Sequence, residues 1–231
     1  MWTRAELKAN AKQVLRRTYW NGFLVLIIVS FLGSGQEGIT TVWQLEQEFG
    51  VDFSAGLVGF LGMFSLAYSI FLSNPLAVGT KYYFLRSREN RAEISNIFAR
   101  FGNGAYLNVV CTMLVVTVKV FLWSLLLVIP GIIKSYEYHF VPYIIAENPE
   151  LSYKRAFEIS KDMTNGIKFR IFVLQLSFLG WCLLGALLCG VGVLFVNPYI
   201  EATMAELYMA QRAKVLAEYK ATKEELYGFR D

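Results

Sequence analysis

The sequence predicts an all-α fold: a polytopic membrane helical bundle of six transmembrane helices paired as three hairpins, with amphipathic helices on the inner surface. Three observations predict it. Of 231 residues, 55% are hydrophobic and only 17% charged, where a soluble domain carries about 25% charged residues. The apolar residues are gathered into long runs. The lysines and arginines between those runs read 5, 0, 5, 1, 5, 0, 5, with the fives at 1–20, 81–104, 148–170 and 205–231 and the zeros at 36–52 and the Leu188–Gly192 turn. Basic residues beside membrane spans stay on the cytoplasmic side, so both termini are expected inside. The net charge of +4 favours anionic headgroups at the inner leaflet, and no nucleic-acid partner is needed to explain it.

The elements follow in order within one membrane domain, 1–231. Residues 1–18 hold an amphipathic helix. Thr3 and Glu6 have capping-box spacing, and Arg4, Lys8, Lys12 and Arg16 recur every four residues opposite Leu7, Ala11, Val14 and Leu15. Such a helix is expected to lie among the inner headgroups, anchored by Trp2 and Trp20. The first span covers roughly 18–36. Small residues after its apolar core resemble a signal-peptide cleavage site, but the long patterned basic region before it favours an uncleaved span. An outer loop follows, with Glu37, Glu46, Glu48 and Asp52, and with Trp43 and Phe49 near the interface.

The second span, roughly 53–80, carries Gly56, Gly59, Gly62, Ser65, Ser69 and Ser73 along one side, a face that permits close helix approach. Residues 101–147 begin and end at basic loops, so they must cross an even number of times. One hairpin fits, with spans at roughly 105–129 and 132–147 and a bend at Pro130-Gly131. Asn148-Pro149 reads as the cap and first turn of a short inner-surface helix, with headgroup contacts expected at Lys154, Arg155 and Lys161 and an end at Gly166. Spans at roughly 171–188 and 191–211 complete the third hairpin, before a cytoplasmic tail, 212–231. Pro75, Pro142 and Pro198 are expected to kink the second, fourth and sixth spans. Cys111, Cys182 and Cys189 lack metal spacing and read as small packing residues.

Catalytic signatures are absent. The chain has one histidine, His139, and neither a zinc-binding HExxH, a phosphate loop nor a nucleophile elbow. The reading is therefore non-enzymatic, with no cofactor and no metal. Charges at membrane depth remain, and such groups are functional candidates. Lys119 lies ~21 Å along the third span and Glu137 ~9 Å down the fourth, so the two meet at one depth. Glu201 lies near the midplane of the sixth, ~15 Å along it. Lys119, Glu137, His139 and Glu201 either line a polar cavity for a proton, ion or small solute, or hold a buried pair that fixes helix register.

Several stretches carry a family resemblance. They are Arg4–Lys8, Ile129-Pro-Gly-Ile-Ile-Lys134, Pro142-Tyr-Ile-Ile-Ala-Glu-Asn-Pro-Glu150 and Ser160-Lys161 with Gly166. Ser177–Trp181, Asn197-Pro-Tyr199 and Glu206-Leu-Tyr208 belong with them. On these the chain resembles a family of bacterial integral membrane proteins catalogued as a domain of unknown function and common in Gram-positive bacteria. The resemblance implies a multi-pass helical protein of the bacterial plasma membrane and carries no activity or site residue with it. The expected function is a non-enzymatic membrane protein that binds or assists a partner protein, a lipid or a membrane-active peptide. A homo-oligomer is a further possible partner arrangement, and a small transporter or channel-like protein is the alternative.

Overall fold

The computed structural model describes residues 2–33, 55–89, 91–102, 104–187 and 191–226. The outer loop expected around Glu37–Asp52 lies outside the described residues, as do Asn103 and Cys189. Among those described there is no strand. The helices are α1 (Arg4–Gly33), α2 (Ala55–Tyr68), α3 (Asn74–Ser87), α4 (Tyr106–Leu126), α5 (Val128–Glu137), α6 (Val141–Glu147), α7 (Tyr153–Thr164), α8 (Lys168–Leu187) and α9 (Val191–Ala217). A π turn, Ser69–Ser73, joins α2 to α3, and a 3-10 turn, Ile94–Phe98, follows α3. Four helical stretches, Arg4–Gly33, Gly56–Ser87, Tyr106–Leu126 and Lys168–Leu187, are long and apolar enough to cross a membrane.

α1 starts at the cap its sequence predicts. Glu6 Oε2 accepts from the Thr3 N–H at 2.9 Å, and Thr3 Oγ1 accepts from the Glu6 N–H at 3.2 Å. The helix then runs unbroken for 30 residues, about 45 Å. This corrects the expectation of a surface helix at 3–18 followed by a separate span. The two halves form one rod, so the basic half continues the axis of the apolar half. Leu7, Ala11, Leu15 and Thr18 on its N-terminal half are buried, and α9 is its main neighbour.

Proline chemistry sets the next junctions. Pro75 cannot donate to the carbonyl of Phe71 and its ring crowds that carbonyl. The π turn absorbs the strain, and the Tyr106 hydroxyl donates to Phe71 O at 2.5 Å. Beyond it α3 enters the core: Leu76, Val78, Tyr83, Phe84 and Leu85 are buried. The 3-10 turn packs directly on α3 at Gly79, where a Cβ would stand 1.9 Å from the Ile97 carbonyl oxygen. On α2, by contrast, Gly56 and Gly59 face open space, so these two glycines do not serve the close packing expected of them.

The α4–α5 bend falls at Leu127, in extended conformation, rather than at Pro130-Gly131. Pro130 instead occupies the first turn of α5, where a missing N–H costs nothing. Gly131 faces Ser124 across the hairpin so closely that a Cβ would meet Ser124 Oγ at 2.3 Å. The segment expected as one fourth span, 132–147, is two helices. α5 has 10 residues and α6 has 7, about 15 Å and 10 Å long, each short of a ~30 Å hydrocarbon core. Pro142 starts α6 rather than kinking a longer helix. Ser160 stabilises the break from α7: its hydroxyl donates to Glu137 O at 2.8 Å and accepts from the Phe140 N–H at 3.3 Å.

α7 is capped by Ser152, whose Oγ accepts from the Arg155 N–H at 3.4 Å, not by Asn148. Asn148 Oδ1 closes the preceding turn by accepting from the Glu150 N–H at 3.1 Å. Gly166, at φ +72°, lets the chain leave α7 and enter α8. Pro198 lies inside a continuous α9. The core gathers Tyr83, Phe84, Phe140, Tyr143, Phe178 and Tyr208 with their aliphatic neighbours, each such side chain contributing about 2–3 kcal/mol by leaving water.

Candidate functional site

The four residues expected to share one site are divided between two ion clusters. Glu137, at the end of α5, is buried. Its Oε1 accepts from Lys134 Nζ at 2.8 Å and its Oε2 from Lys168 Nζ at 2.7 Å. Lys134 sits one helical turn back on the same face, and Lys168 opens α8. Lys119 is not its partner. The Lys119 ammonium lies over the ring of Phe157 at 4.1 Å and that of Tyr138 at 5.8 Å, held by the negative faces of the two rings. Counted along their expected spans, Lys119 and Glu137 lie at one depth on adjacent helices. Glu137 instead meets the first residue of α8, so it stands where a helix begins.

Glu201, on α9, is paired with Lys81 of α3: Nζ stands 2.7 Å from Oε1 and 2.6 Å from Oε2. Lys81 also faces the Tyr143 ring at 5.3 Å. His139 lies between α5 and α6, its ring 5.2 Å from that of Phe140 and 6.3 Å from that of Tyr143. Its Nε2 is buried without a hydrogen-bond partner. Tyr143 thus links His139 to the Lys81–Glu201 pair, while Lys119 and Glu137 belong to other surroundings.

A third polar group was not legible as a site. Glu147, at the end of α6, has a side chain 0% exposed. Its Oε2 accepts from the Tyr208 hydroxyl at 2.6 Å and its Oε1 from Arg212 Nε at 2.8 Å. The Tyr208 ring stacks on Tyr143 at 5.3 Å. Two residues before Tyr208 on α9, Glu206 accepts from Arg88 Nε at 2.5 Å. Arg100 donates to the carbonyl of Ala146, and Asn108 Nδ2 donates to Pro149 O at 2.7 Å and Leu151 O at 2.8 Å. Three elements distant in sequence are therefore joined by charge-assisted bonds, each roughly twice as strong as a neutral one. The signal for this group lay in the sequence. Glu147 and Glu206 each follow or interrupt apolar residues, and both fall in the stretches that carry the family resemblance.

Of the expected headgroup contacts, Arg4, Lys12, Arg16, Lys154 and Lys161 are exposed. Lys8 instead reaches over the Phe178 ring at 4.4 Å. Arg155 is committed to the C-terminal tail. Its Nε donates to Glu225 Oε1 at 2.6 Å, its Nη2 to Lys220 O at 2.8 Å, and its Nη1 to Glu158 Oε2 at 3.0 Å. The Arg155 guanidinium, foremost, holds the Glu225 carboxyl below its ordinary range. Thr222 helps through a capping box, its N–H donating to Glu225 Oε2 at 2.9 Å.

Among the described residues, no group of three or more His, Cys, Asp or Glu side chains is placed to hold a metal ion. Ion pairing, stacking and backbone capping are what these residues are seen to do. No curated protein and no solved structure matches the chain. A family model does: residues 113–214, which contain Lys119, Glu137, His139, Glu147, Glu201 and Glu206, match the one described as "Protein of unknown function (DUF975)".

Proposed function

We propose that this chain is a non-enzymatic, multi-pass plasma-membrane protein that binds or assists a partner protein, a lipid or a membrane-active peptide. In this reading six segments cross the bilayer, the fourth as the broken pair α5 and α6 taken together, both termini are cytoplasmic, and basic segments meet anionic lipid on the inner face. The observation that carries the reading is the division of the acidic candidates. Glu137 is closed between Lys134 and Lys168, and Glu201 is closed on Lys81. A carboxylate so neutralised and hydrogen-bonded fixes helix positions, and the two acids answer to separate cations rather than to a shared path. The four long apolar helices support membrane residence, and the exposed cations on α1 and α7 support an inner surface that meets anions.

One observation favours the second reading, a small transporter. The buried, unpartnered Nε2 of His139 belongs to a ring beside Tyr143, whose ring also neighbours Lys81 of the Lys81–Glu201 pair, and intramembrane His and Glu groups form proton relays in transporters. Proteoliposomes containing a pH-sensitive dye separate the two. The first reading predicts proton flux no greater than in protein-free vesicles, unchanged by Glu201→Gln or His139→Phe. A flux carried by the wild type and lost in both variants, with folding intact, would favour the transporter.

A further inference from the structure

A cleft of about 520 Å³ opens between α1 and α9, lined by Lys12, Arg16 and Arg17 together with Tyr19, Trp20 and Tyr199. Its charged lining is all cationic, and the Lys12 ammonium stands 5.8 Å from the centre of the Tyr199 ring. Tyr19 ties the two helices together: its hydroxyl donates to Phe195 O at 3.0 Å. Just beyond, the Phe23 and Phe195 rings stack at 4.8 Å.

What distinguishes this cleft is the surface that leads away from it. One turn past Arg16, α1 begins an exposed apolar stripe: Trp20, Leu24, Ile27 and Phe31, at 67%, 45%, 37% and 80% exposure. The spacing keeps them on one helix face. Phe195 of α9, 45% exposed, stands beside its lower end. A cationic pocket at the foot of an apolar stripe matches one kind of molecule, an anion with long hydrocarbon chains. Guanidinium groups bind phosphate oxygens in pairs, indole rings settle at the headgroup level, and the cationic lining repels a choline or ethanolamine group, which would have only the faces of Tyr19, Trp20 and Tyr199 to hold it.

We infer that this cleft is a binding site for the headgroup phosphate of an anionic glycerophospholipid, whose acyl chains lie along Trp20, Leu24 and Ile27. Lys12 and Arg16 neutralise the phosphate, and Trp20 marks the boundary between headgroup and chain. The site rests on the membrane reading above, and it narrows the partner in that reading to a lipid class at a stated place. A soluble phosphate would satisfy the cations but leave the stripe unused, which the experiment below distinguishes.

The test uses the full chain, purified in detergent and titrated with phosphatidylglycerol or phosphatidylcholine, with bound lipid counted by native mass spectrometry. The wild type should retain phosphatidylglycerol preferentially. Lys12→Gln with Arg16→Gln should weaken that binding about thirtyfold, from roughly one surface-charge interaction lost per cation. The charge-preserving pair Lys12→Arg with Arg16→Lys should keep it, as should Lys154→Gln with Lys161→Gln on α7. In vesicles, brominated phosphatidylglycerol should quench fluorescence that Trp20→Phe removes. Phosphatidylglycerol binding by the Gln pair at wild-type affinity would overturn the site, as would a wild type indifferent to headgroup charge. Displacement of the lipid by an equal concentration of inorganic phosphate would assign the cleft to free phosphate instead. If the wild type is absent from alkali-washed membranes, the membrane reading itself fails, whereas a membrane-resident protein with no lipid preference refutes only the cleft.

Discussion

Replacing Glu147 with glutamine tests whether the inner polar network holds the bundle together. The carboxylate is 0% exposed and Arg212 is 19% exposed. Breaking a buried pair from one side costs about 3–5 kcal/mol. Part of this is offset, because the Arg212 guanidinium still reaches water and donates to Leu226 O at 2.5 Å, and glutamine can accept one of the two bonds that glutamate accepts. The expected loss is therefore about 2–3 kcal/mol, a fall in melting temperature of about 4–12 °C for a chain of this size. The assay is thermal unfolding of the detergent-purified protein, followed by gel filtration after heating. The double variant Glu147→Gln with Arg212→Met should lose clearly less than the sum of the singles, by about 1 kcal/mol or more, because neither strands a charge in the other's absence. A Glu147→Gln melting temperature within about 1 °C of wild type, or strict additivity in the double variant, would refute the assignment of stability to this network.

Four further outcomes follow from other contacts of the fold. Gly79→Ala drives a methyl group into the Ile97 carbonyl, a backbone atom that cannot rotate away, so a loss of about 2 kcal/mol or more is expected in the same melt. Because Glu137 holds two cations, Lys134→Met or Lys168→Met alone should be mild and the pair severe. Lys119→Met, which loses only ring contacts, should cost about 1 kcal/mol or less; a severe Lys119 phenotype would restore the expected Lys119–Glu137 pair. Glu225 binds Arg155 as the ionised carboxylate, with its pKa depressed below the ordinary 4.5. The tail clasp should therefore be at full strength above that ordinary value and weaken as pH falls through the depressed one. Hydrogen exchange at 220–226, corrected for intrinsic rates, should lose protection on acidification in the wild type, and Glu225→Gln should remove the pH dependence.

What could be read from the sequence was local. The Thr3–Glu6 cap, the apolar runs and the helix end near Gly166 depend on neighbours within a few residues, and spacing reveals them. The break between α5 and α6 is different. Pro142 hints at it, but the groups that stabilise it are the hydroxyl of Ser160 and the backbone of Glu137 and Phe140, brought together only by packing of α7. Partner choice was similarly out of reach. Measuring depth along separate spans placed Lys119 opposite Glu137, yet Glu137 takes Lys168 from the start of α8, and Glu201 takes Lys81 from α3, 120 positions away. Glu147 and Glu206 fall in the expected spans 132–147 and 191–211, and Arg88 and Arg212 in basic segments, so nothing local pairs them. The burial of the two glutamates and their pairing with the two arginines appear only when α3, α6 and α9 are assembled.

The claim on which the rest depends is that this chain sits in a membrane with both ends inside, and labelling of single cysteines tests it most directly. With Cys111, Cys182 and Cys189 replaced by serine, a cysteine is placed at Asn10 on the exposed face of α1 or at Tyr219, which is 95% exposed just beyond α9. A membrane-impermeant maleimide is then added to intact and to permeabilised cells. The account predicts that both positions react only after permeabilisation, with the protein in the membrane fraction. Labelling of both in intact cells would invert the orientation and put the cationic segments outside. Labelling of one alone would require an odd number of crossings, and the arrangement in three hairpins would be wrong.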